Sequence, residues 1–395
     1  MSFTTNGMRA SFAQGVLASI AFALLLAGTN AITPLLPMYR GALGFTPLLL
    51  SLTMVCYVSM LVAVLLFLSW KNVARWSPPL LCGALLGSIA SDMLLASSSE
   101  LGILTGRAIA GIAGGLGTGA AAALAVAAMG AKGRSLSATG NLAGAVVGTS
   151  FSQVCVSYLP ELAMHHVFFL HAWACSIMLL FLVPVLISQR QVNSKLLETS
   201  LVPKGAGSVA YPVLPLLIGS LVWAVLTVTV VFLPSFFKAK DMVLATNVGV
   251  IVLFISCFIG QISSAKISKV LPEFSGILLA CLGLTIMLLG SMMSMSLVAL
   301  VGLAMAGAGT GISYRLCLVV FTLGASPSMQ GKLASRYAAI TYGVSASLVL
   351  TAGIIGNLVG LDYIVFAIYA AFIIGLLLLS RRSPRLRDTF EVATA

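Results

Sequence analysis

The chain has 395 residues, of which 60% are apolar and only 8% charged, and its mean hydropathy is +1.12. So few charges cannot solvate a water-soluble protein of this size, which leaves lipid as the solvent that the composition requires. A net charge of +12 invites a nucleic-acid reading, but the basic residues sit in short loops and not along one soluble face, which excludes that partner.

A helix crossing a hydrocarbon core of about 30 Å needs about 20 mostly apolar residues, because its backbone groups must bond within the segment. Twelve stretches meet this, near 14–37, 47–69, 78–97, 100–129, 137–159, 166–187, 209–236, 243–263, 275–294, 296–323, 333–356 and 361–380. The expected fold is an all-α membrane protein of twelve transmembrane helices in two pseudo-symmetric six-helix bundles. Residues 1–187 form the first bundle, 188–208 a cytoplasmic linker, 209–380 the second bundle and 381–395 a cytoplasmic tail. The first apolar run is too long for the core of a cleavable signal and is read as span one.

Taken in order, span one offers Asn30, an amide that hydrogen-bonds a substrate without titrating, and Pro34 and Pro37, which end or kink it near the outer face. Span two contributes Tyr57 as a cavity-lining candidate. Span three carries Asp92, the single acid placed within a span and the first candidate for proton coupling. Span four carries Arg107, about 10 Å inside its outer end at about 1.5 Å per residue. A cation at that depth needs a partner or a ligand, and Asp92 and Glu100 are the expected partners.

Gly111, Gly115 and Gly119 recur every four residues on span four, as Gly144 and Gly148 do on span five. Small faces of this kind let helix backbones approach closely and slide. Gln153 on span five is a further substrate-binding candidate. His165, His166 and His171, at the outer start of span six, read as interfacial, since only Glu161 offers a nearby metal-compatible acid. Arg315 on span ten is a second substrate-binding candidate, or an arginine held by a backbone carbonyl. Seven cysteines lie in apolar runs without ligand spacing and read as small buried hydrophobes. No metal and no cofactor are expected.

The two halves repeat. Gly106, Ala108, Ala110, Gly111 and Gly115 recur 196 residues later as Gly302, Ala304, Ala306, Gly307 and Gly311. Leu36-Pro37 returns as Leu233-Pro234, and Gly133-Arg134 as Gly331-Lys332, at nearly the same offset. Three separated matches at one period indicate duplication. With the N-terminus inside, only Arg40, Lys238 and Lys240 of the 21 basic residues fall outside, and Arg107 and Arg315 lie within spans. Both termini are therefore expected in the cytoplasm, and the chain in the cell's inner membrane.

With its span-one end Gly28-Thr29-Asn30-Ala31-Ile32-Thr33-Pro34-Leu35-Leu36-Pro37 and its span-four arginine followed by Gly111 and Gly115, the chain resembles the major facilitator superfamily. More narrowly it is similar to bacterial twelve-helix drug and metabolite exporters. The resemblance implies two bundles around a midplane site exposed alternately to either side. It also shows departures: Leu68 stands where the loop after span two has glycine, with Lys71, Asn72 and Arg75 retained. After span eight, Gly260, Lys266 and Lys269 are kept, with Ser264 in place of an acid, and span five has Gly144 and Gly148-Thr149 where antiporters carry Gly-Pro.

No Walker motif is present, so ATP is not the direct energy source, and the spans lack the converging groups of an enzyme. The expected function is secondary active transport of a small organic molecule by a monomer in the bilayer, as an exporter of drugs or metabolites, with protons as an open coupling partner. Uptake of an anionic or zwitterionic metabolite, and a non-transporting receptor or scaffold, are the alternatives.

Overall fold

A computed structural model describes residues 2–70, 76–129, 131–189, 212–323 and 327–389, and side chains within those ranges except at 2–11, 69–70, 131–141, 327–332, 335 and 389. Over the described residues the chain is helical and contains no strand. The helices are α1 (Ser2–Ala31), α2 (Leu36–Ala42), α3 (Pro47–Trp70), α4 (Ser77–Leu95), α5 (Glu100–Met129), α6 (Ala131–Tyr158) and α7 (Ala163–Ser188). They continue as α8 (Val213–Ala239), α9 (Val243–Val270), α10 (Ile277–Met292), α11 (Ser296–Phe321), α12 (Pro327–Val359) and α13 (Leu361–Ser380). Ten of these stretches are long and apolar enough to cross a membrane. The 16-residue α10 and the described part of α6, Leu142–Tyr158, are shorter apolar helices. Most of the expected linker, residues 190–208, and the loop positions Lys71, Asn72 and Arg75 lie outside the described residues.

Local chemistry sets the helix ends. At the start of α5 the Ser99 hydroxyl accepts the Gly102 N–H at 3.1 Å, and Glu100 places an acid in the first turn, where the helix dipole favours it. Span one stops six residues earlier than expected: α1 ends at Ala31, a 3-10 turn covers Thr33–Leu35, and Leu36 begins α2. Pro34 has no N–H to give the Asn30 carbonyl, so the α-helical ladder cannot pass it. Pro234, the repeat of Pro37, does not end its helix: α8 continues through it to Ala239.

The helices group into two units, Met1–Leu35 with Cys56–Lys204, and Leu36–Val55 with Gly205–Ala395. In the first unit, α1 packs on α5, α6 and α7, and α4 on α5 and α7. Its core gathers Leu25, Leu81, Leu85, Leu124, Cys175 and Leu182. In the second unit, α11 packs on α8, α9 and α10, around Phe232, Phe236 and Phe237. There the short stretch from Leu36 contributes Pro47 and Ser51, which lie against Gly356 and Gly353 of α12.

Lipid tails give helices little hydrophobic reason to associate, so close backbone packing must do it. Both units use the duplicated glycines in the same way. Gly106 lies against Ser91 and Leu95 of α4, while Gly111 and Gly115 lie against the backbone of Tyr57 and Leu61 on α3. Their repeats act alike: Gly302 meets Met287 of α10, and Gly307 and Gly311 meet Leu253 and Cys257 of α9, each 196 residues after Tyr57 and Leu61. Gly144 and Gly148 press α6 onto the Ala23 and Ala27 carbonyls of α1. Gly119 departs from the expectation: a methyl there would meet open space, so it is not part of the close-packed face.

The tail is docked within its unit. The N–H groups of Leu386 and Arg387 donate to the carbonyls of Phe274 (2.9 Å) and Pro272 (2.8 Å), and Arg385 and Arg387 both bind Glu273. The Arg385 hydrogen bond, with both guanidinium charges, holds the Glu273 carboxyl below its usual range. A carboxylate so lowered stabilises docking above its free pKa of about 4.3 and loses that contribution as pH falls through its lower, docked value. Tail exchange protection is therefore expected to be constant near neutral pH and to fall in acid. Glu273→Gln is expected to raise tryptic cleavage after Arg385 by no more than about a few-fold, since exposed ion pairs contribute little.

Candidate functional site

The C-terminal end of α1 is where polar groups converge in the first unit. Because the helix stops at Ala31, its last carbonyls lack partners within the helix and form the negative end of its dipole. Arg107 of α5, 2% exposed, fills part of that need: its Nη1 donates to the Thr29 carbonyl at 2.9 Å. The same guanidinium stacks over the Tyr57 ring, with Cζ 4.6 Å from the centroid. Next to it, the Thr149 hydroxyl of α6 donates to the Asn30 carbonyl at 3.4 Å. A helix end, an aromatic face and a planar cation therefore occupy one place.

Asp92 lies elsewhere in its pairing. Its Oδ2 is 2.8 Å from Nδ1 of His171, and both side chains are buried, at 2% and 5% exposure. This corrects two expectations. Among the described residues the ion-pair partner of Asp92 is His171, not Arg107, and His171 is not interfacial but sealed between α4, α1 and α7. Its Nε2 donates to the Leu24 carbonyl of α1 at 2.9 Å. Gly28 makes this possible, since a methyl there would collide with the imidazole ring. Cys175, one helical turn along α7, places its Sγ 3.7 Å from Nε2. The donor atoms of Asp92, His171 and Cys175 lie within 4.8 Å of one another, but both ring nitrogens are already committed.

The remaining candidates have local partners. The Asn30 amide donates to the Leu26 carbonyl of its own helix at 2.8 Å, and Gln153 reaches Ser157 one turn on at 3.3 Å. In the second unit Arg315 donates to the Gln261 carbonyl at 2.9 Å and to Ser264 Oγ, so it ties α11 to α9. That unit also holds an aromatic group that sequence reading passed over. Trp223 of α8 contacts the rings of Tyr314 at 4.7 Å and Tyr342 at 4.8 Å, and Tyr337 lies 5.3 Å from Tyr314. Single aromatics in uniformly apolar helices leave no periodic trace, so only Tyr314, beside Arg315, was within reach of a sequence signal.

Apolar helices in two repeated units, with ionisable side chains buried inside the first, define a polytopic membrane protein of the transporter type. The family model described as Major Facilitator Superfamily matches residues 18–350, and the chain belongs to that superfamily. A search of curated protein sequences finds no match. Solved structures with a similar fold include a D-xylose-proton symporter, 14% identical with a TM-score of 0.68 over 95% of this chain and 98% of that one. They also include the nucleoside transporter NupG, 13% identical with a TM-score of 0.62 over 95% and 100% of the two chains. The xylose transporter XylE from E. coli, in an inward open conformation, is 14% identical with a TM-score of 0.63 over 96% and 99%.

Proposed function

We propose that this major facilitator transporter moves a small organic molecule by alternating access of two six-helix bundles, 1–187 and 209–380, working as a monomeric exporter of the inner membrane with a proton as the coupling ion. The observation that carries the reading is Arg107, buried within a span where a cation costs at least about 2.5 kcal/mol by insertion scales, and set at the end of α1 between Thr29 and Tyr57. The resemblance to exporters, carried by the span-one and span-four sequences, supports the direction proposed. Both termini are assigned to the cytoplasm by the loop charges, and the docking of the tail on Pro272–Phe274, just past Lys266 and Lys269, supports one side for the tail and that basic loop.

A second reading, uptake of an anionic or zwitterionic metabolite, is favoured by the same buried cation, since Arg107 and Arg315 within spans outnumber the single acid Asp92. The structural likeness to a xylose-proton symporter and a nucleoside transporter points to uptake as well. The test is flux in proteoliposomes under an imposed pH gradient, with drugs, sugars, nucleosides and organic anions as candidates. Efflux against the proton gradient supports export, and uptake with it supports the second reading. Binding without flux under every gradient would leave a receptor and end both.

A further inference from the structure

The buried pair of Asp92 and His171 can be read by counting protons. The Leu24 carbonyl only accepts, so the 2.9 Å contact requires a hydrogen on Nε2. The 2.8 Å contact between Nδ1 and Asp92 Oδ2 requires a second hydrogen, either on Nδ1 as imidazolium facing a carboxylate or on the carboxyl as an acid facing a neutral ring. Both forms have zero net charge and the same number of protons. The structure therefore holds the pair in its loaded state, with one exchangeable proton shared across the contact.

Removal of that proton leaves a carboxylate, a neutral imidazole and one N–H for two acceptors. The hydrogen bond to the charged carboxylate is the stronger, so the ring moves its hydrogen to Nδ1 and presents the Nε2 lone pair to Leu24. Two acceptors then face each other, and α7 loses its polar tie to α1. Atoms balance: the proton passes to water in the compartment then open to the site, and nothing else changes.

We infer that Asp92 and His171 form a single-proton site whose loading ties α1 to α7 and whose unloading releases α1, making the pair the coupling element of the transporter. The inference rests on the transport reading above. It gains its meaning from α1 itself, because the helix tied at Leu24 also offers Thr29 to Arg107 and Asn30 to Thr149. A change at the proton site and a change at the cation site therefore act on one stretch of backbone. The titratable groups on elements packed on α7 are Asp92 and Cys82 of α4, and Cys155 and Tyr158 of α6; the described side chains of α1 include none. On α7 itself His165 bonds the Ala96 carbonyl and His166 the Leu162 carbonyl, so only Asp92 and Cys175 face the ring. Arg107 and Glu100, on the α5 helix that packs on α4, complete the charged neighbours, and Arg107 is turned toward Thr29.

Hydrogen exchange of the full-length protein in lipid nanodiscs, corrected for the intrinsic pH dependence of amide exchange, tests this. Amides of α1 around Leu24 to Thr29 are expected to exchange about tenfold faster once pH has risen through the pair's titration. Asp92→Asn keeps a neutral partner whose amide donates to Nδ1 at every pH, so its α1 is expected to stay protected with no pH step. His171→Leu is expected to show the fast rate throughout. A wild-type profile without a step, or a step that survives in Asp92→Asn, overturns the inference, and the first outcome does so even if a variant fails to fold. A step in wild type, absent from Asp92→Asn, with no gradient-driven flux of any candidate solute, keeps the proton site and removes the transport reading. Coupled flux without the step does the reverse.

Discussion

Gly148→Ala is expected to destabilise the protein by about 2–3 kcal/mol, the upper part of the range for forcing extra carbon into a packed site. A methyl at Gly148 would stand 2.6 Å from the carbonyl carbon and Cα of Ala27 and closer still to its oxygen. Ordinary carbon contacts are about 3.5–4.0 Å, so α1 and α6 would have to separate by about 1 Å. Backbone atoms cannot turn aside as a side chain does, and the separation would also lengthen the Thr149 contact to Asn30. Gly119→Ala is the matched control. Nothing stands where its methyl would go, and alanine is the better helix former, so this variant is expected to gain up to about 1 kcal/mol. Thermal unfolding in detergent, followed by size-exclusion recovery, separates the two. Equal melting of both variants would remove the close-packing account of α1 and α6.

Arg107→Ala is expected to lower flux roughly 100-fold in the proteoliposome assay, which corresponds to the loss of a charge-assisted hydrogen bond and its ring contact, about 2–3 kcal/mol. The Thr29 carbonyl loses its donor and the Tyr57 face its cation. Arg107→Lys keeps the charge but not the planar fork, and partial recovery is expected, limited by the geometry of the ammonium. Measuring flux at equal amounts of folded protein, with exchange protection of α8 to α13 as a reference, distinguishes a binding defect from a folding one. Flux of every anionic candidate unchanged in Arg107→Ala would sink the role assigned to this residue.

The span pattern was legible because a helix in lipid must be apolar along its whole length, a constraint written in every residue from Pro47 to Trp70 or Ser296 to Phe321. The duplication was legible for a related reason. A glycine that admits a neighbouring backbone cannot be exchanged, so Gly111 and Gly115 left a matching trace at Gly307 and Gly311. The resemblance to the major facilitator superfamily came instead from the end of span one and from Arg107 with the glycines of span four, and the match over residues 18–350 bears it out. The partners of buried charges were not legible. Asp92 and Arg107 were expected to meet because they lie on neighbouring spans, yet spacing along a chain does not say how each helix is rotated about its own axis. That rotation, set by Gly28 admitting the His171 ring and by Pro34 ending α1, sent the acid to His171 and the cation to Thr29.

Composition and pattern by themselves determined that this chain lives in lipid, that its helices come in two repeated sets, and which few side chains would be costly to bury. Tertiary structure alone decided how those costs are met: His171 joins Asp92 to Leu24, Arg107 caps the end of α1, and Arg315 closes on Gln261 and Ser264. The physical reason is one of range. Solvation and backbone hydrogen bonding act on each residue where it stands, whereas a buried hydrogen bond requires two groups from distant parts of the chain to meet within about 3 Å at a definite angle.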